Sequence, residues 1–156
     1  NLPAKLRETF KLVITGRKGA SYDKYKNRAE ELHVLNNVVF TDFIPAEDMP
    51  LFYNATEVLV YPSFYEGFGL PPIEAMACGT PVIASNVTSL PEVCYESALF
   101  IDPNDIDSLS YDIERVLSNS LLRLTMVKKS LTRNKAFSWN KTALDTLSAY
   151  KSILNS

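Results

Sequence analysis

Hydrophobic residues occur along the first two-thirds of the chain in short runs that are separated by amphipathic stretches. Five of these runs are rich in β-branched or aromatic residues and predict strands at Lys11–Thr15, Val38–Thr41, Val58–Tyr61, Val82–Ser85 and Leu99–Ile101. Helical patterns between them predict helices at Tyr22–His33, Asp48–Asn54, Pro72–Cys78 and Leu90–Cys94. Because the strands are continuously apolar rather than alternating, we expect a parallel sheet that is covered by helices on both faces.

The last third of the chain is helical in pattern. Apolar residues recur at helical spacing over residues 106–117 and again over residues 121–131. Ser138 suits the N-cap of a last helix, and Phe137 and Trp139 are expected to anchor it. The apolar face of that helix comprises Ala143, Leu144, Leu147, Tyr150 and Leu154. The pattern predicts one doubly wound α/β domain with a helical C-terminal tail.

Size, charge and cysteine content narrow the class of protein. The chain has 156 residues, 46% of them hydrophobic and 22% charged, which is typical of a soluble globular domain. A net charge of −2 gives no electrostatic argument for a nucleic-acid partner. Cys78 and Cys94 are too few for a disulfide framework and are expected to be reduced, as in a cytoplasmic protein. With one histidine in the chain, we expect neither a metal site nor a Cys/His nucleophile.

Two glutamates stand eight positions apart just after the third predicted strand. Glu66 lies at the carboxyl edge of the predicted sheet, where α/β proteins bind ligands, and Glu74 lies one turn into the following helix. Carboxylates there can accept hydrogen bonds from the hydroxyls of a ribose and a sugar. The alternative, that Glu74 is only a favourable charge at a helix N-terminus, leaves Glu66 unexplained.

The residues between the two acids predict an anion site. Gly67 and Gly69 leave room for backbone N–H groups to approach phosphate oxygens. Pro71 and Pro72 suit the first turn of a helix, whose N-terminus favours an anion. Together with the acids, this loop predicts a nucleotide-sugar site.

A second glycine-containing segment, Gly16-Arg-Lys-Gly19, follows the first predicted strand. It lacks the spacing of the known phosphate-binding loops, so an exposed turn with solvated charges is the preferred interpretation. Gly16 itself lies at the edge of the sheet, where its backbone is expected to face the ligand.

Several ordered motifs resemble the C-terminal half of the retaining glycosyltransferases of family 4, the group 1 nucleotide-sugar transferases. The segment Glu66-Gly-Phe-Gly-Leu-Pro-Pro-Ile-Glu74 matches the family's signature of two glutamates separated by seven residues. The segments 12–16, 37–44, 75–85 and 90–93 resemble further family landmarks, as does Phe137-Ser-Trp139. The resemblance covers nearly the whole chain.

The resemblance implies a Rossmann-like, nucleotide-sugar-binding domain over residues 1–156, one half of a two-domain GT-B enzyme. It implies that Glu66 is catalytic and contacts the donor sugar, and that Glu74 holds the ribose. Backbone groups of Gly67, Phe68, Gly69 and Leu70 would contact sugar and diphosphate, with Gly16 also at the donor. Phe43 and Ile44 would line the base pocket. The family transfers sugar with retention and needs no metal or other cofactor.

The resemblance also implies what lies outside this sequence. The family's first strand, with a basic Arg and Lys pair, and its N-terminal acceptor domain have no counterpart in these residues. We therefore expect a domain truncated at its N-terminus and inactive alone. The expected donor is GDP-mannose or a UDP-hexose, and the expected partner is a glycan or lipid-linked acceptor. The expected location is the cytoplasm or the inner face of the membrane. The alternative is a non-catalytic nucleotide-binding or assembly module of the same fold.

Overall fold

The computed structural model describes residues 2–154 as an alternation of strands and helices. The strands are β1 (Leu12–Thr15), β2 (Val38–Asp42), β3 (Leu59–Tyr61), β4 (Val82–Ser85) and β5 (Ala98–Ile101). The helices are α1 (Ala4–Thr9), α2 (Tyr22–Glu31), α3 (Met49–Asn54), α4 (Leu70–Ala77), α5 (Leu90–Cys94), α6 (Ile106–Ser118), α7 (Ser120–Asn134) and α8 (Trp139–Leu154). The strands and helices predicted with bounds all form, with ends within two residues of those expected. The short helix α1 was not predicted, because it buries no residue and so has no apolar face.

The strands are all parallel, as predicted, but they form two sheets rather than one. β1 pairs with β2, and a second sheet has the order β3-β4-β5. Within residues 2–154, β1 and β3 are therefore each paired on one side only. Burial on both faces holds for β4 alone, since Leu12 and Val13 of β1 are 55% and 44% exposed. A strand needs neighbours on both sides and helices on both faces to be enclosed, and only β4 has them.

The core lies on the two faces of β4. Val82 and Ala84 point into one apolar cluster, which also contains Ile73 and Met76 of α4 and Leu90 of α5. The intervening residue Ile83 points into a second cluster with Val116 of α6 and Met126 of α7. Because neighbouring strand residues face opposite sides, this alternation places helices on both faces of the sheet. The doubly wound, Rossmann-like α/β architecture is confirmed.

The last helix of the tail, α8, begins at the cap that the sequence predicts. Ser138 Oγ accepts a hydrogen bond of 3.0 Å from the backbone N–H of Lys141, which confirms Ser138 as the cap of α8. α8 has no buried residue, and Trp139 is 81% exposed, so the expectation that Trp139 anchors this helix is wrong. Phe137 is partly buried and packs edge-on against Phe68, with 6.0 Å between ring centroids. Among residues 2–154, no helix is both long and apolar enough to span a membrane.

Candidate functional site

Glu66 lies in the loop that connects the end of β3 to the start of α4. Its Oε1 atom accepts two hydrogen bonds of 2.7 Å, one from the Tyr61 hydroxyl and one from the Ser63 hydroxyl. Its backbone N–H donates to Thr88 Oγ1 at 3.1 Å, and its carbonyl accepts from Ser89 Oγ at 3.1 Å. The loop is thus tied to the segment that leads into α5, which fixes both the backbone and the side chain of Glu66.

The hydrogen bonds around Glu66 set its charge state. They lower the pKa of the Glu66 carboxyl, the Tyr61 hydroxyl contributing most and the Ser63 hydroxyl next. Burial, together with the bond to Glu66, raises the pKa of Tyr61 to about 12. At neutral pH, Glu66 is therefore ionised while the Tyr61 hydroxyl keeps its proton. Within residues 2–154 no hydrogen bond and no ion pair reaches Glu66 Oε2, so this oxygen is open to a ligand.

Glu74 projects from α4 and is held by a second tyrosine. The Tyr53 hydroxyl, from α3, donates to Glu74 Oε2 at 2.9 Å. Burial of Tyr53, and next its bond to Glu74, raise the pKa of this tyrosine well above its usual range. Glu74 is exposed, and nothing in the described part of the chain bonds to its Oε1. Each acid therefore has one oxygen held by a tyrosine and one oxygen open.

The loop between the acids contains a run of unpaired backbone donors. The N–H groups of residues 67–70 form no hydrogen bond within residues 2–154. Pro71 and Pro72, in the first turn of α4, have no N–H group, so the donors 67–70 at this helix end come from the loop and from Leu70, the first residue of α4. Consecutive unpaired N–H groups at a helix N-terminus are a suitable environment for an anion.

Gly69 is the position where this loop requires glycine. Its φ of 92° is one that other residues rarely adopt, and it is the N-cap of α4. A Cβ atom there would lie 2.6 Å from Leu90 Cδ2, which is fully buried. Gly67 is different, since a Cβ atom there would meet nothing within 4 Å. The loop thus packs tightly on α5 at Gly69 and is open at Gly67.

Gly16 lies at the carboxyl end of β1, in the other sheet. With a φ of 126°, it lines a cavity of about 250 Å³ whose wall also includes Arg17, Lys18 and Tyr22. The Arg17 guanidinium stacks over the Phe43 ring, 5.2 Å from its centroid. Phe43 is 60% exposed and Ile44 is half-buried. Glu66 and Glu74 do not line this cavity.

The predicted site residues therefore form two groups. Residues 66–70 and Glu74 follow β3 of the three-stranded sheet, whereas Gly16 follows β1, and Phe43 and Ile44 follow β2, at the edge of the two-stranded sheet. Sequence reasoning missed the hydroxyl residues that hold the acids: Tyr53, Tyr61, Ser63, Thr88 and Ser89. Only Tyr61 and Ser63, five and three positions before Glu66, are near enough in sequence to have been noticed. It also missed Arg17 and Lys18 as cavity residues, because their segment was interpreted as a solvated turn.

Possible metal ligands are dispersed over the molecule. Residues 2–154 contain no group of three or more His, Cys, Asp or Glu side chains that could hold a metal ion. Cys78 and Cys94 are both free, and burial raises the pKa of the Cys94 thiol to about 11.

The fold and the loop define a Rossmann-like α/β domain with a ligand-accessible carboxyl edge. Residues 1–133 match the family described as glycosyl transferases group 1, and the chain belongs to this family. It is 41% identical over 150 residues to O-antigen chain mannosyltransferase B of Escherichia coli, covering 96% of this chain and 39% of that protein. It is 34% identical over 158 residues to the serotype-specific mannosyltransferase WbdA of Escherichia coli, covering 99% of this chain and 19% of that protein.

Solved structures share the fold. Sucrose-phosphate synthase from Thermosynechococcus elongatus superimposes with a TM-score of 0.85 at 34% identity, over 93% of this chain and 39% of that one. The chain thus spans well under half the length of the relatives it matches. The resemblance to group 1 glycosyltransferases stated from the motifs is confirmed.

Proposed function

We propose that the chain is the donor-binding domain of a glycosyltransferase that transfers a hexosyl group from a nucleoside-diphosphate sugar to a glycan or lipid-linked acceptor. The observation that carries this proposal is the loop after β3, where the unpaired N–H groups of residues 67–70 lie between two braced carboxylates. The amide donors suit a diphosphate, and the open oxygens of Glu66 and Glu74 suit sugar and ribose hydroxyls. The family supports transfer as the reaction.

The donor we favour is GDP-mannose. Two relatives with substantial identity are named as mannosyltransferases, which supports a mannosyl group. A UDP-hexose is the other candidate donor. Phe43 and Ile44 would line the base pocket and Gly16 would contact the donor, and Arg17, stacked on Phe43, adds a positive charge at the same edge.

The chemical step breaks the bond between the anomeric carbon and the diphosphate and forms a bond from an acceptor hydroxyl oxygen to that carbon, with the hydroxyl proton passing to the departing diphosphate. The carbon becomes positive while the departing diphosphate gains negative charge. The N–H groups of residues 67–70 would stabilise the departing diphosphate, and preorganised donors of this kind supply a large share of catalysis. The ionised Glu66 would face the positive sugar through its open oxygen. Retention at the anomeric carbon and independence of metal come from the resemblance and are part of this proposal.

The alternative is a domain of the same fold that binds nucleotide without catalysing transfer. Unpaired strand edges such as those of β1 and β3 can pair with another chain, which would suit an assembly module. Calorimetric titration of the chain with GDP and UDP addresses binding. Saturable binding of either nucleotide supports the donor site, and absence of binding to both contradicts it.

Transfer itself is tested in the whole protein that contains this domain. Wild type and the Glu66→Ala variant are assayed with GDP-mannose, UDP-glucose and UDP-galactose against a glycan acceptor. We expect transfer from one donor by the wild type and a loss of at least about a hundredfold in kcat for the variant, as for removal of an electrostatic transition-state contact. Nucleotide binding should change much less. Equal transfer by both proteins would contradict the role of Glu66.

A further inference from the structure

The two hydroxyl groups on Glu66 converge on the same carboxylate oxygen. We propose that Tyr61 and Ser63 are positioning residues that lock Glu66 with Oε1 held and Oε2 directed to the donor sugar, as a fixed negative charge. This inference rests on the proposed function, because it assigns the way in which the catalytic carboxylate is held. It adds two residues that touch Glu66 rather than the substrate.

The two hydroxyl groups fix the direction of the Glu66 carboxylate. A glutamate side chain has three rotatable bonds, and holding it in one rotamer has a large entropic cost. Tyr61 is the last residue of β3 and packs against the apolar cluster beneath α4, so its hydroxyl is carried by a rigid element. Ser63 approaches the same oxygen from the loop at the same distance of 2.7 Å. Two donors from different points fix the direction of the carboxylate, and Thr88 and Ser89 fix its backbone.

The groups that hold Glu66 are uncharged. An arginine or lysine in the same place would orient Glu66 but would also cancel its negative charge. Hydroxyl groups orient it and leave the full charge in place. No Lys, Arg or His side chain in the described part of the chain forms an ion pair with Glu66. A positive charge that develops on the sugar would therefore meet an uncompensated carboxylate.

The hydrogen bonds to Glu66 also make its carboxylate a weaker base. The same two hydroxyls lower the pKa of Glu66, so the group is a weak base at neutral pH. It is suited to accept a hydrogen bond from the sugar and to stabilise positive charge. A purely structural role for Tyr61 and Ser63 would leave this charge property without consequence for turnover.

The test uses the whole protein with the double substitution Tyr61→Phe and Ser63→Ala. We expect kcat at saturating donor to fall by about tenfold to a hundredfold, while the donor KM changes by less than about threefold. The acid limb of the kcat profile should move to higher pH, because Glu66 loses both bonds to its ionised form. The substitution Ser63→Thr keeps a hydroxyl and should retain more turnover than Ser63→Ala. Tyr111→Phe, on α6, is the matched control and should leave kcat unchanged.

The outcomes separate this inference from the function itself. If the wild type transfers no sugar from any donor, the proposed function fails and this inference fails with it. If the wild type transfers sugar and the double variant matches it in kcat and pH profile, only the positioning role is overturned. Should the double variant lose its fold by circular dichroism, Ser63→Ala alone decides, because it removes one small hydroxyl. If Ser63→Ala then matches the wild type in kcat and in the acid limb of its pH profile, the positioning role is overturned.

Discussion

Replacing Gly69 with alanine tests how the fold shapes the loop between the two acids. Gly69 caps α4 with a φ of 92°, and an added Cβ atom would lie 2.6 Å from Leu90 Cδ2. Gly67, two positions earlier in the same loop, has open space around the corresponding Cβ position. Gly67→Ala is therefore a matched control, since it makes the same chemical change in the same loop without the close contact.

The expected effect of Gly69→Ala has two parts. Placing a non-glycine residue at a left-handed φ lowers the free energy of unfolding by about 1–2 kcal/mol. Forcing a methyl group against a fully buried leucine adds about 1–3 kcal/mol of overpacking. The free energy of unfolding should therefore fall by about 2–5 kcal/mol, a large part of the 5–15 kcal/mol that stabilises a typical domain. Gly67→Ala should change it by less than about 1 kcal/mol.

Urea denaturation of the two variants and the wild type measures these differences. With a slope of about 2 kcal/mol per molar urea, a loss of 3 kcal/mol lowers the midpoint by about 1.5 M. A double-mutant cycle with Leu90→Ala identifies the contact responsible. Because Leu90→Ala removes Cδ2, the two substitutions together should cost about 1–3 kcal/mol less than the sum of their separate effects. Equal midpoints for Gly69→Ala and Gly67→Ala, or strict additivity in the cycle, would refute the reasoning.

Three further predictions concern the tyrosines, the tail and metal. In an alkaline titration followed by tyrosinate absorbance, Tyr53 and Tyr61 should ionise at higher pH than free tyrosine, whose pKa is about 10. Since their folded pKa values are raised, their contribution to stability is present below pH about 10 and is lost as the pH rises further; ionisation of either residue at or below pH about 10 would contradict this. Arg133→Ala removes hydrogen bonds to the carbonyls of Val93 and Glu92, so thermal denaturation should show a loss of about 1–3 kcal/mol; an unchanged Tm would contradict it. If transfer is independent of metal, an excess of chelator should leave the transfer rate of the whole protein unchanged, and a loss that added Mg²⁺ restores would contradict that proposal.

The alternation of strands and helices could be predicted because buried apolar residues recur in the sequence in the pattern that is typical of each element. The division into two sheets could not. The apolar run at β1 resembles the one at β4, yet β1 is open and β4 is enclosed. Whether a strand is enclosed depends on which strands lie beside it. That information is carried by long-range pairing rather than by the run itself.

In the candidate site, too, the sequence predicts residues that are neighbours along the chain but not those that folding brings together. Glu66, Glu74 and the glycines between them could be chosen from one continuous segment. Two of the hydroxyls that hold them come from elsewhere in the sequence: Tyr53 lies 21 positions before Glu74, and Thr88 lies 22 positions after Glu66. Such pairs depend on packing of α3 and α5 against α4. The apolar face of α8 was predictable in the same way, whereas its exposure was not.

In the proposed function, the N–H groups of residues 67–70 receive the diphosphate of a donor. Amide chemical-shift mapping of the isotopically labelled chain, during titration with GDP and with UDP, tests it directly. We expect the amide signals of these four residues to shift together and to saturate with one nucleotide. In the Glu74→Gln variant, saturation should require a higher nucleotide concentration. Saturable shifts confined to other residues, or no shifts with either nucleotide, would contradict it.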